Sequence, residues 1–261
     1  MTRRLSIEWP DPAPFRDRGG APIRILAVSD QFDRALEDER SRRSVGPIDL
    51  IVGCGDLDCD ELSFLADGFN APMVYVLGNH DADARWEACR AYCPDAAIST
   101  ALHHESGIAI AGLTWPGKRG PGAPRSERKA WSQSLRLAVR RLGRHKPVMI
   151  ISHVPPLGAG DMPSPAGYHR GFRGYSWLMR RVRPPLWLHG HTPLAATTEW
   201  HIQRDSTTLV NVTGAVVIEI WAPGSWDASI AEPPDEVSRQ PEPTPAAVGS
   251  GTAESGSPAS R

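Results

Sequence analysis

A chain of 261 residues, 40% of them hydrophobic, is long enough to bury one sizeable core and to form one or at most two domains. Its 29 Lys and Arg nearly balance its 30 Asp and Glu, and a formal net charge of −1 gives no nucleic-acid or membrane-surface signal. No run reaches the roughly 18 apolar residues of a spanning helix. Residues 1–22 lack the apolar stretch of a signal peptide, so a soluble, cytoplasmic protein is expected.

Residues 1–21, rich in Pro, Asp, Arg and Gly, are expected to be an extended lead-in to a domain spanning 22–222. Strand-like runs at 23–28, 48–52, 73–77, 108–113, 148–152 and 186–188 alternate with helical segments near 33–43, 60–68, 84–92, 126–142 and 174–182. Such alternation predicts an α/β fold with a largely parallel sheet. In the helix at 126–142, Trp131, Leu135, Ala138, Val139 and Leu142 form one apolar stripe, with Arg128, Ser132, Arg136 and Arg140 expected on a solvated face. After Pro193, the runs Ala195–His201, Thr207–Val212 and Ala215–Trp221 predict antiparallel strands closing a second sheet. From residue 223 onward the chain becomes a Pro/Ser/Gly/Ala-rich tail, and residues 231–261 have no aromatic residue, which predicts disorder. Cys54, Cys59, Cys89 and Cys93 lack the spacing of a thiolate zinc site and are expected to be free thiols.

Five polar clusters follow apolar runs: Ser29-Asp30, Gly55-Asp56, Gly78-Asn79-His80-Asp81, Ser152-His153-Val154-Pro155-Pro156 and His189-Gly190-His191. Asp, Asn and His recurring at the carboxyl ends of buried strands is the arrangement of a metal or ligand site on an α/β sheet. Any one cluster is ordinary turn chemistry. Five in sequence are not.

In their order these clusters resemble the calcineurin-like metallophosphoesterase family, whose pattern runs D-x-H, GD, GNH(D/E), a lone His and GHxH. The resemblance covers residues 23–220 and implies a four-layer α/β/β/α sandwich with the site at the strand carboxyl ends. Carried over by motif, Asp56 bridges two metals, and Asn79, His153 and His191 complete one site suited to a divalent transition metal: Mn, Fe, Zn or Ni. His80 is implied as the general acid, oriented by Asp81 or a backbone carbonyl. The implied activity is hydrolysis of a small-molecule phosphomonoester or phosphodiester through a metal-activated hydroxide.

Two positions depart from the pattern. The D-x-H histidine is Phe32, and the last His of GHxH is Pro193. The other metal site is thereby reduced to Asp30 and Asp56, which suit a weaker Mg or Mn. His189 is open to a ligand, supporting or packing role; His169 and Arg170, on the loop 154–173, are candidates for substrate contact. The same losses leave a second function open, a catalytically weak or inactive family member used as a binding scaffold, as in the retromer subunit that resembles these enzymes. Substrate and oligomeric state are not encoded in any of these motifs.

Overall fold

The computed structural model describes residues 2–81, 86, 88, 93, 99–118, 120, 124–162, 167–194 and 199–225. The expected helix at 84–92, most of the run 195–201, Cys89 and the tail from 226 lie outside the described residues, apart from Trp86 and Ala88.

Eleven strands form two mixed sheets among the described residues. The first comprises β1 (Arg3–Glu8), β2 (Ile23–Ser29), β3 (Leu50–Gly53), β4 (Met73–Tyr75) and β11 (Gly214–Trp221), in the order β1-β11-β2-β3-β4. The second comprises β5 (Leu102–Glu105), β6 (Ile108–Leu113), β7 (Val148–Ser152), β8 (Leu186–His189), β9 (His201–Arg204) and β10 (Thr207–Asn211), in the order β5-β6-β7-β8-β10-β9. β2, β3 and β4 run parallel in one sheet, as do β6, β7, β8 and β10 in the other. The helices are α1 (Glu39–Val45), α2 (Cys59–Phe69), α3 (Glu127–Arg140) and α4 (Arg173–Val182). A capping box from Asp58 and Glu61 starts α2, and Ser126 caps α3 by accepting from the Lys129 N–H.

Side-chain alternation along the strands generates the layers. Ile23, Ile25 and Ala27 of β2 join Ile108, Ile110, Met149, Ile151 and Leu188 in the core between the sheets. Leu26 and Val28 point the other way, onto Leu62 and Leu65 of α2. On the outer face of the second sheet, Ala111, Ile150 and Trp187 meet Ala130 and Leu137 of α3 and Tyr175 and Leu178 of α4. Three apolar interfaces between four layers make the expected α/β/β/α sandwich.

Three expectations need correction. The segment read as a lead-in forms β1, which pairs in parallel with β11 and buries Ile7 and Trp9, so the domain starts near residue 3. Of the late runs, Thr207–Val212 forms β10 of the second sheet, whereas Ala215–Trp221 forms β11, which crosses to the first sheet antiparallel to β2; β9 begins only at His201, where the run Ala195–His201 ends. Much of the apolar stripe at 126–142 does not face the core: Leu135, Val139 and Leu142 are 49%, 63% and 61% exposed, Ala138 alone of the stripe packs on the core, and Ala130, Gln133, Ser134 and Leu137 are the residues buried. Gln133 is accommodated because its amide donates to the Thr114 carbonyl and accepts from the Tyr175 hydroxyl.

Candidate metal centre

All five motifs meet at one end of the two sheets. Val28 pairs with Gly53 and Gly53 with Tyr75, so β2, β3 and β4 finish side by side and release Asp30, Asp56 and Asn79 into adjacent loops. Ser152 pairs with His189 in the second sheet, which places His153 and His191 together. The His191 N–H donates to Asp30 Oδ2 at 2.8 Å and ties the end of β8 to the end of β2. Asp30, Asp56 and His191 have φ of 59°, 56° and 65°. Left-handed backbone at non-glycine positions costs on the order of 1–3 kcal/mol each and collects at functional sites.

Close backbone approach fixes the glycines of two motifs. A Cβ at Gly78 would collide with Asp56 Oδ1, and one at Gly190 would collide with Ser29 Oγ and Asp30 Oδ2. Asp81 is buried, and its Oδ2 accepts from the N–H groups of Gly78 at 2.7 Å and Asp56 at 2.9 Å. It clamps the two loops together, so Asp81 acts as a positioning residue for the site. Burial raises its carboxyl to about 6 against those two hydrogen bonds, with the Asp56 charge adding to the rise.

The imidazoles are held in defined orientations. His153 Nδ1 lies 2.9 Å from the Cys54 carbonyl, and His191 Nε2 lies 2.9 Å from the Tyr168 carbonyl. A carbonyl only accepts, so both of these nitrogens carry hydrogen, and His153 Nε2 and His191 Nδ1 are left facing one another at 3.1 Å. Around His153 Nε2 also stand Asn79 Oδ1 at 3.0 Å and Asp56 Oδ2 at 3.2 Å. One proton on that nitrogen serves a single acceptor well, whereas a cation would satisfy all of these lone pairs at once. Burial opposes charge on both rings. Asp56 and Asp30 nevertheless raise His153 to about 9, while burial and the His153 charge lower His191 to about 3. Burial works against the Asp56 carboxylate too, but the His153 bond and charge outweigh it and hold its pKa below the usual value.

Ligand atoms of Asp30, Asp56, His153 and His191 all lie within 4.8 Å of one another, and Asn79 Oδ1 joins them. Two imidazoles, two carboxylates and an amide oxygen form a donor set that fits a divalent transition metal. The carbonyl behind each imidazole supplies the supporting hydrogen bond usual for such ligands.

A family model for calcineurin-like phosphoesterases matches residues 24–195. The chain belongs to the calcineurin-like phosphoesterase family. No curated protein matches it by sequence. Among solved structures it is similar to TT1561 of Thermus thermophilus, at 17% identity and TM-score 0.52, over 74% of this chain and 90% of that one. It is also similar to a putative 5'-nucleotidase from Staphylococcus aureus in complex with alpha-ketoglutarate, at 10% identity and TM-score 0.46, over 76% of this chain and 51% of that one.

In this member of the family the two departures from the motif pattern have different surroundings. Phe32 is half-buried against the α2 layer, edge-on to Phe64 with ring centroids 6.0 Å apart. Pro193 lines the cleft over the candidate ligands, with Asp30, Gln31, His80, His169 and Thr213. That cleft, about 380 Å³, is the size of a small-molecule site. His189 is buried outside the ligand cluster. Its Nδ1 donates to the Gly190 carbonyl and its Nε2 packs on Gly160, so it is a packing and supporting residue. Arg170 is exposed and does not line the cleft, whereas His169 does, 5.3 Å from the His191 ring.

Sequence reasoning missed Tyr168 and Arg125. The Tyr168 hydroxyl accepts from Asn79 Nδ2 at 2.9 Å and lies 3.2 Å from His80 Nε2. The Arg125 guanidinium donates to the carbonyls of Gly167, Tyr168, Arg170 and Gly171 and stacks on Phe172 at 4.4 Å. It thereby pins the loop that carries Tyr168 and His169. Turn-forming residues such as Gly167 mark the stretch as a loop but say nothing of this latch. Only the tertiary contacts reveal it.

Proposed function

We propose that this chain is a metal-dependent phosphoric ester hydrolase acting on a small-molecule phosphomonoester or phosphodiester. The observation that carries this reading is the convergence of Asp56, Asn79, His153 and His191 beside an exposed His80 at the mouth of a small cleft. When bound, a divalent cation supplies Lewis acidity toward phosphoryl oxygens and lowers the pKa of water. Asp56, Asn79, His153 and His191 would hold it, with Asp30 near enough to bind it or a second, weaker ion.

His80 is free to act on the leaving group. Its backbone N–H donates to Asp56 Oδ1 at 2.8 Å, which fixes the residue relative to the ligands, while its ring projects into the cleft. The Tyr168 hydroxyl, 3.2 Å from Nε2, marks a position from which an oxygen can take a proton from that ring. Tyr168 also orients the Asn79 amide, so that Oδ1 turns toward His153. His169 walls the side of the cleft beside His191 and is a candidate for substrate contact.

His80→Ala tests the assignment. Its metal content should equal that of the wild type, because His80 is no ligand. Turnover of an alkyl phosphate ester, whose leaving group needs a proton, should fall by about 10²- to 10⁴-fold. Turnover of a nitrophenyl ester should fall much less. Equal losses on both esters would refute the general-acid role. The binding-scaffold reading, favoured by the loss of imidazoles at Phe32 and Pro193, predicts no turnover of either ester by the Mn²⁺-loaded wild type.

A further inference from the structure

The net charge of −1 conceals a strong asymmetry. Residues 125–146 and 173–183, which contain α3, α4 and the turn after α3, carry twelve of the 29 Lys and Arg and one of the 30 Asp and Glu. The remainder holds seventeen cations and 29 acids. These two helices pack side by side, with the Trp131 and Trp177 rings 5.6 Å apart, and together form the outer layer over the second sheet. Among the described residues, no carboxylate lies within ion-pair distance of the exposed Arg136, Arg140, Arg144, Arg180, Arg181 or Arg183. The one acid of the layer, Glu127, accepts from the Gly174 N–H and serves the helix contact.

Along the middle of this basic layer runs the aliphatic ridge Leu135, Val139 and Leu142, each about half or more exposed. A spacing of four residues puts Leu135 and Val139 on one line of α3, with Arg136 and Arg140 about a quarter turn to one side, and Leu142 follows in the turn after the helix, its N–H donating to the Val139 carbonyl. On the other side Leu142 shares a depression with Arg181 and Val182 of α4. A basic helical face with a protruding aliphatic line is the pattern of a helix lying in a membrane interface.

We propose that the α3–α4 face docks on an anionic lipid surface, with Leu135, Val139 and Leu142 entering the acyl boundary and the flanking arginines meeting lipid phosphates. Like charge rules out a second copy of this chain on the same face. Nucleic acid would engage the arginines but give the aliphatic ridge nothing to bury in, and the largest apolar side chains exposed there are aliphatic rather than stacking aromatics. An anionic bilayer matches both features.

Sedimentation of the full chain with vesicles tests this. Binding to vesicles of about 30% phosphatidylglycerol in phosphatidylcholine should exceed binding to pure phosphatidylcholine by roughly tenfold or more and weaken with salt. The double variant Val139→Asp/Leu142→Asp, whose side chains are on the surface, should retain metal content and Tm yet lose about tenfold in vesicle binding. Arg136→Glu/Arg140→Glu should lose as much. Equal partitioning onto neutral and anionic vesicles, undiminished binding by the aspartate variant, or tighter binding to duplex DNA than to anionic vesicles would each overturn the proposal.

Discussion

Metal uptake by this protein should release about one proton and strengthen with pH, because of how His153 is held. Its Nδ1–H is committed to the Cys54 carbonyl, and its Nε2 carries a second proton among Asp56, Asn79 and His191. Burial alone would depress this imidazole; the Asp56 bond and the charges of Asp30 and Asp56 raise it instead to about 9 from 6.5. A metal on Nε2 must displace that proton, so apparent affinity should rise about tenfold per pH unit below about 9. Without metal, the protonated ring stabilises the fold fully below pH 6.5, and that contribution is lost as pH rises through 9. The difference corresponds to about 3 kcal/mol, or roughly 5–10 °C in Tm for a chain of this size. Asp81, raised to about 6, acts in a lower window: its contribution is present below its ordinary 3.8 and gone above 6. Calorimetric Zn²⁺ or Mn²⁺ titrations at pH 6.5, 7.5 and 8.5, in buffers of different ionisation heat, measure both affinity and proton release. Affinity that is flat with pH, or no proton released, would refute this account of His153.

Other outcomes follow from the same geometry. Gly190→Ala drives a Cβ into Ser29 Oγ and Asp30 Oδ2 and should cost about 1–3 kcal/mol in denaturant unfolding as well as metal affinity. Wild-type values for both would show that the loop relaxes freely. Tyr168→Phe keeps the ring but removes the hydroxyl shared by Asn79 and His80; kcat should fall while metal content stays, which elemental analysis beside steady-state kinetics will check. Pro193→His places an imidazole on the cleft wall and should raise the second equivalent of bound metal, whereas Phe32→His, packed against Phe64, should not. The reverse pattern would place the weaker site elsewhere.

The candidate ligands were legible because the runs that precede them are short and largely apolar, and each polar cluster lies within a few residues of the end of a run. Parallel pairing then brings those stops to one end of the sheets, which is a property of the architecture rather than of any one motif. Tyr168 was not legible: it sits on an irregular loop whose position depends on the distant Arg125 reaching four of its carbonyls. The α3 stripe misled because hydrophobicity is a poor guide where buried polar groups find partners. Gln133 and Ser134 are satisfied inside, by Thr114, Tyr175 and the Ala130 carbonyl, and Leu135 and Val139 are turned outward as a result. Strand β5 was missed although a turn signal precedes β6: Ser106 and Gly107 both have positive φ and join Glu105 to Ile108 in a two-residue hairpin. The sheet joined by β11 depends on pairing with β2, most of the domain away in sequence, and no local pattern records it.

Whether Asp56, Asn79, His153 and His191 form a metal centre that hydrolyses phosphate esters is tested most directly by one assay. Hydrolysis of bis-nitrophenyl phosphate and nitrophenyl phosphate is followed in metal-stripped protein before and after Mn²⁺ is added, with His153→Ala alongside. Turnover of at least one ester should appear with Mn²⁺ in the wild type and be absent in His153→Ala. Turnover independent of the metal, equal turnover in the variant, or none in the Mn²⁺-loaded wild type would contradict the assignment.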